Sequence, residues 1–214
     1  DFPCTKICKI VSTATRKTCS GEIQQTFSKG DFSLTFDDYF SIIQNKTGEL
    51  FNASCSIGSF LAGADENLIE LVGDFGTSLG LNYQVYDDLV DTFGNHSNFG
   101  KTLGTDFESG KITLPLIILM ESVTSSEKDS LHSSLKASKQ DFEFRNYLGE
   151  LFKLYNIQES CVAELKKRFN QSKLIASNIP DNELSVRLLA FIESFDFKIH
   201  NLTNKSDPNF LALN

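Results

Sequence analysis

Apolar residues recur along this chain at helical spacing. Ile7, Ile10, Val11 and Ala14 stand at i, i+3, i+4 and i+7, so an amphipathic helix opens after Pro3 and runs towards Gly30. Thr35-Phe36-Asp37-Asp38 places an acid three residues after a hydroxyl, which marks a helix start. Tyr39, Phe40, Ile42 and Ile43 follow it, with a bend expected near Gly48, and a small-residue stretch continues through Gly63. The pattern then predicts one long helix over 66–94. Gly73, Gly76, Thr77 and Gly80 form a stripe on it that lets another helix approach closely. Shorter helices are expected over 115–123, 127–137 and 141–155, with Phe144, Tyr147, Leu148, Leu151 and Tyr155 on one face of the last. A helix from Ile157 to Ala176 follows. Pro180 separates it from a final helix with Leu184, Leu188, Phe191, Ile192 and Phe195 apolar, and the tail from Asn201 is polar. No segment alternates as a strand does, and no repeat or linker interrupts the series. The expectation is one all-α domain over 1–214.

The long helix carries the most distinctive polar pattern. Val85, Tyr86, Leu89, Val90 and Phe93 fall on one side, and Gln84, Asp87, Asp88 and Asp91 on the other. Three carboxylates within one turn repel one another near neutral pH. A divalent cation resolves the conflict, and carboxylate oxygens suit Mg²⁺, which keeps waters and bridges to substrate phosphates. The sixteen residues from Asn95 to Gly110 show no clear period, longer than the roughly 12–15 expected of an idle loop in a compact domain. They bring Lys101 and, just after, Lys111, each following a glycine. Lysine is a point charge suited to phosphate. An acidic metal-binding face followed by a lysine-bearing loop reads as a diphosphate site.

Charge and composition narrow the alternatives. Acidic residues outnumber basic ones 28 to 20, for a net charge of −8, and no basic tract offers a nucleic-acid surface. No apolar run reaches the roughly 18–20 residues of a membrane span. Five cysteines, an odd number without zinc-ligand spacing, point to a reducing, cytoplasmic setting, with Cys4 and Cys8 expected as small core residues. The three histidines are scattered, which argues against a histidine metal site.

The stretch Tyr83-Gln84-Val85-Tyr86-Asp87-Asp88-Leu89-Val90-Asp91, then Gly100-Lys101, Gly104-Thr105-Asp106 and Gly110-Lys111-Ile112-Thr113-Leu114-Pro115, resembles the second aspartate-rich region of the trans-isoprenyl diphosphate synthases, or polyprenyl synthetases. Only Tyr83, in place of Phe, departs from the pattern. Gly21-Glu22-Ile23-Gln24-Gln25 is similar to the family's Gly-Glu-x-x-Gln, and Lys46-Thr47-Gly48 to its Lys-Thr-Ala/Gly, in the family's order. The resemblance implies an isoprenoid-synthase helical bundle that condenses isopentenyl diphosphate with an allylic diphosphate. It implies that Lys46 and Thr47 hold the allylic diphosphate and that Gln84 helps to position it. Asp87 would be the direct Mg²⁺ ligand, with Asp88 and Asp91 acting through waters. Lys101 corresponds to a second diphosphate lysine. Lys111 either contacts diphosphate or closes the loop. A cavity-supporting role is implied for Glu22 and Gln25, and Phe51 and Phe60 are candidates to line a prenyl tunnel. A homodimer is implied, with the first helices near its interface.

The family also carries a first aspartate-rich motif, which none of the 86 residues before Asp87 supplies; Asp37-Asp38 has no third aspartate in place. The resemblance thus covers the family's carboxyl-terminal two-thirds, with its amino-terminal helices missing, and the chain is expected to be part of a longer protein. By itself it is expected to be inactive or nearly so. The alternative reading is a non-catalytic or partner-dependent subunit of a heteromeric synthase. The second metal motif of the terpene cyclases does not match.

Overall fold

The computed structural model describes residues 4–94, 104–137 and 142–203, and among them every regular element is helical. Helix α1 spans Thr5–Phe27 and α2 Phe36–Ile43. A π-helical turn, Gln44–Gly48, leads directly into α3, Glu49–Leu61, and α4 runs from Glu66 to Phe93. After a one-turn helix α5, Thr105–Glu108, come α6, Leu114–Ser122, α7, Ser125–Ala137, and α8, Phe142–Leu154. Helices α9, Ile157–Ser177, and α10, Asn182–Thr203, complete the series.

Local chemistry sets several of these boundaries. At the start of α2 the Thr35 amide and hydroxyl donate to Asp38 Oδ2, and the Asp38 amide donates to Thr35 Oγ1 at 3.2 Å. This is the reciprocal cap read in the sequence. Asp65 caps α4 by accepting from the Leu68 amide at 2.9 Å. Asn156, with φ 51, turns the chain from α8 into α9, a left-handed position that asparagine tolerates. The bend anticipated near Gly48 is the π turn. The small-residue stretch after it is α3, which the sequence pattern did not assign, and its own small residues are what let it pack closely.

The chain divides into two compact units, residues 1–24, 40–84 and 166–197 in one, and 25–39, 85–165 and 198–214 in the other. In the first, Ile43, Ile69, Val72, Phe75, Phe169, Ile192 and Phe195 are buried together with small residues such as Ala14 and Ala53. The glycine stripe of α4 lies against α3. A β-carbon at Gly76 would stand 2.6 Å from the Phe51 carbonyl oxygen, and one at Gly80 2.9 Å from the Gly48 Cα. In the second unit, Val85, Leu89, Leu114, Leu119, Leu131, Leu148 and Ile157 form the core, each at most 1% exposed. Cys8 is exposed rather than part of a core, Cys4 is half-buried, and all five cysteines are unpaired thiols.

Candidate functional site

The first unit brings the Gly-Glu-x-x-Gln and Lys-Thr motifs into contact. Gly21 is the point of closest approach, since a β-carbon there would lie 2.5 Å from the Lys46 amide nitrogen. Only glycine admits the π turn against α1 at that distance. Glu22 then pairs with the Lys46 ammonium at 3.3 Å, and the Asn45 side-chain amide donates to Gln24 Oε1 at 3.3 Å. The Thr47 hydroxyl donates to Gln84 Oε1 at 2.8 Å. Phe51 packs beside Tyr83, ring centroids 5.8 Å apart. The same unit holds a cavity of about 730 Å³ lined by Ile10, Ala14, Asn52 and Thr77, with the Lys17–Glu49 and Lys6–Glu66 ion pairs at its walls.

The second unit holds the aspartates. Asp88 and Asp91 are 4% and 5% exposed, so two members of the polar face read in the sequence are buried rather than solvated. Each is matched by protein donors. The Tyr39 hydroxyl donates to Asp88 Oδ2 at 2.7 Å. Asp91 accepts from the Thr105 amide (3.3 Å) and hydroxyl (3.0 Å) through Oδ1, and from the Asp106 amide (3.1 Å) through Oδ2. Asp91 thereby caps α5 from another helix, taking amides that a helix start leaves unsatisfied. Burial pushes the Asp91 carboxyl up; the Asp106 amide bond opposes this and the Asp106 charge adds to it. Asp106 in turn accepts a hydrogen bond from the Lys111 ammonium. Burial pulls Lys111 down, but that bond and the charges of Asp106, Asp88 and Asp91 together hold it above its ordinary value. Gly110, with φ 77, closes the segment, and its carbonyl accepts from the Gly30 amide at 2.8 Å.

Of the residues read from the sequence, Thr47 and Gln84 meet directly, and Lys46 meets the glutamate of the preceding motif. Asp87 is half-buried. Lys101 lies outside the described residues. Tyr39, Thr105 and Asp106 emerge as supports of the aspartates that the sequence reading did not assign. Tyr39 was hidden among the apolar residues of α2, whereas Asp106 stood in the Gly-x-Asp segment in plain view.

Among the described residues no group of three or more His, Cys, Asp or Glu side chains is arranged to hold a metal ion. A closed metal cage is therefore not present there. The donor chemistry fits Mg²⁺ in another way: this ion is held by one or two carboxylates plus waters and substrate phosphate. Asp87 supplies a half-buried carboxylate on α4, and the adjacent Asp88 supplies a buried one held by Tyr39.

Residues 1–151 match the family described as Polyprenyl synthetase. A geranylgeranyl diphosphate synthase of Sulfolobus acidocaldarius is 32% identical over 153 residues, covering 69% of this chain and 46% of that protein. A heptaprenyl diphosphate synthase component 2 of Geobacillus stearothermophilus is 36% identical over 99 residues, 46% of this chain and 31% of that protein. The chain thus spans about half the length, or less, of these curated relatives. Among solved structures, a polyprenyl synthase from Caulobacter crescentus, complexed with calcium and isoprenyl diphosphate, superimposes with a TM-score of 0.80 at 26% identity, covering 95% of this chain and 60% of that one.

Proposed function

The chain belongs to the polyprenyl synthetase family, and we propose that it forms the carboxyl-terminal part of a prenyltransferase joining isopentenyl diphosphate to an allylic diphosphate with Mg²⁺. The observation that carries this reading is the Thr47–Gln84 hydrogen bond at 2.8 Å, which brings together two members of motifs far apart in sequence. Relatives at 30% identity or more are named as diphosphate synthases of several chain lengths.

Asp87 would hold Mg²⁺ directly. Asp88 and Asp91, already committed to protein donors, would act through waters. Bound there, the ion would neutralise the departing diphosphate. Lys46 and Thr47 would bind the allylic diphosphate, and Gln84 would help to position the substrate beside it. Lys101 would add a second positive charge. The Lys111–Asp106 pair favours the loop-closing role for Lys111. Five unpaired thiols fit a reducing, cytoplasmic setting, and no described helix is long and apolar enough to cross a membrane.

The sequence before Asp87 offers no other aspartate-rich motif, so the 214-residue chain by itself would turn over slowly or not at all. A partner-dependent subunit is the second reading, favoured by the same feature and by the likeness to a protein named as a synthase component. A homodimer would suit the first reading, a heteromeric partner the second. The test is calorimetric titration of the chain with a non-ionising allylic diphosphate analogue, with and without Mg²⁺. Mg²⁺-dependent binding together with negligible turnover is expected. No binding at millimolar analogue in Mg²⁺ would overturn the site assignment. Turnover matching the Caulobacter synthase would overturn the need for further residues.

A further inference from the structure

Arg145 on α8 is 6% exposed, and its guanidinium reaches the α5 turn, where Nη2 donates to Glu108 Oε1 at 3.1 Å. Its Nε is buried with no hydrogen-bond partner. A buried guanidinium with one orphaned N–H is costly to keep, and its one carboxylate partner, Glu108, is a third exposed, which screens the attraction between them. The place of the pair in the fold points to a role in positioning. Glu108 ends the turn whose first two amides, Thr105 and Asp106, donate to Asp91. Beside it Phe107 stacks on Phe144, ring centroids 6.2 Å apart and planes 20° from parallel. The turn has only four residues, too short to hold its own geometry. It is tied at its start by Asp91, in its middle by Lys111 on Asp106, and at its end by Arg145.

We infer that Arg145, through Glu108, is a positioning residue for the aspartate face of α4. It holds the α5 turn in register so that the Thr105 and Asp106 amides engage Asp91 and keep that carboxylate from swinging towards Asp87 and Asp88. The geometric part stands on the second unit alone. Its consequence for metal binding rests on the Mg²⁺ reading above.

The experiment compares amide hydrogen exchange in the 214-residue chain with that in Arg145→Gln and, because a core substitution can unfold the protein, in the milder Glu108→Gln. Exchange of the Thr105 and Asp106 amides is expected to rise at least tenfold, while that of Leu119 in α6 stays within twofold. Mn²⁺, titrated by its electron paramagnetic resonance signal, is expected to bind several-fold more weakly to the same variants. Unchanged protection of Thr105 and Asp106 in the folded Glu108→Gln chain would overturn the inference, as would a rise shared equally by Leu119. Asp87→Asn separates the two readings: it tests the metal assignment by Mn²⁺ binding and is expected to leave both amides protected.

Discussion

The Tyr39 hydroxyl donates a 2.7 Å hydrogen bond to Asp88 Oδ2, with the two residues only 2% and 4% exposed. A buried carboxylate that loses a donor bears a desolvation cost. Tyr39→Phe keeps the ring and removes that donor. It is expected to destabilise the chain by about 1–3 kcal/mol, measured by urea unfolding. A change below about 0.5 kcal/mol would show that another group satisfies Asp88 as well as Tyr39 does.

Glycine substitutions separate packing from conformational freedom. At Gly76 an added methyl meets the Phe51 carbonyl oxygen at 2.6 Å, and backbone cannot step aside cheaply. Gly76→Ala is expected to cost about 1–3 kcal/mol. Gly58, on the exposed side of α3, has no atom within 4 Å of the same added carbon. Gly58→Ala is expected to stabilise by roughly 0.5–1 kcal/mol through helix propensity. Thermal melts of the two variants should move in opposite directions.

The α2 cap predicts an acid-sensitive term. The hydroxyl and then the amide of Thr35 hold the Asp38 carboxyl below its ordinary 3.8. A carboxyl depressed in the folded state adds stability at pH above its unfolded value, and that gain disappears as pH falls through the lower, folded value. Thr35→Ala should therefore be less stable than the parent at neutral pH, with the gap narrowing below about pH 4. Unfolding curves across that range check it. A gap independent of pH would mean that the cap acts without the Asp38 charge.

Lys46 and Asp87 should act on ligand binding rather than on folding. Removing one charge-assisted contact to diphosphate costs about 1.5–3 kcal/mol, so Lys46→Ala is expected to weaken the analogue roughly ten- to hundredfold. Asp87→Asn should abolish the Mg²⁺ dependence of that binding. Lys173, whose ammonium sits 3.3 Å from Asp196 at the surface, is the control. Lys173→Ala should leave affinity unchanged, and equal losses at Lys46 and Lys173 would point to non-specific charge attraction.

Much of the fold could be read from the chain because its determinants are local. The α1, α2 and α4 boundaries follow from apolar period and capping chemistry, and the Thr35–Asp38 cap is formed by residues three apart. The glycine stripe of α4 announced a close helix contact. Which helix fills it depends on residues far away, and α3 was left unassigned because its run of alanine, serine and glycine was read only as a small-residue stretch. The site divides in the same way. The order of Lys46, Thr47, Gln84 and the aspartates, read through the resemblance to the family, is what suggested a diphosphate site, and the residue types have the charge or hydrogen-bonding groups that such a ligand needs.

By itself the sequence determined which side chains could serve metal and phosphate, because that depends on charge and donor type. Only the tertiary structure decided which protein groups each one meets. Asp91 lies against the α5 amides; Asp88 lies against Tyr39; and Lys111 is neutralised by Asp106. The physical reason is that a carboxylate's role is set by the donors around it once water is excluded. Those donors come from segments whose meeting depends on the packing of the whole unit, which no window of sequence contains.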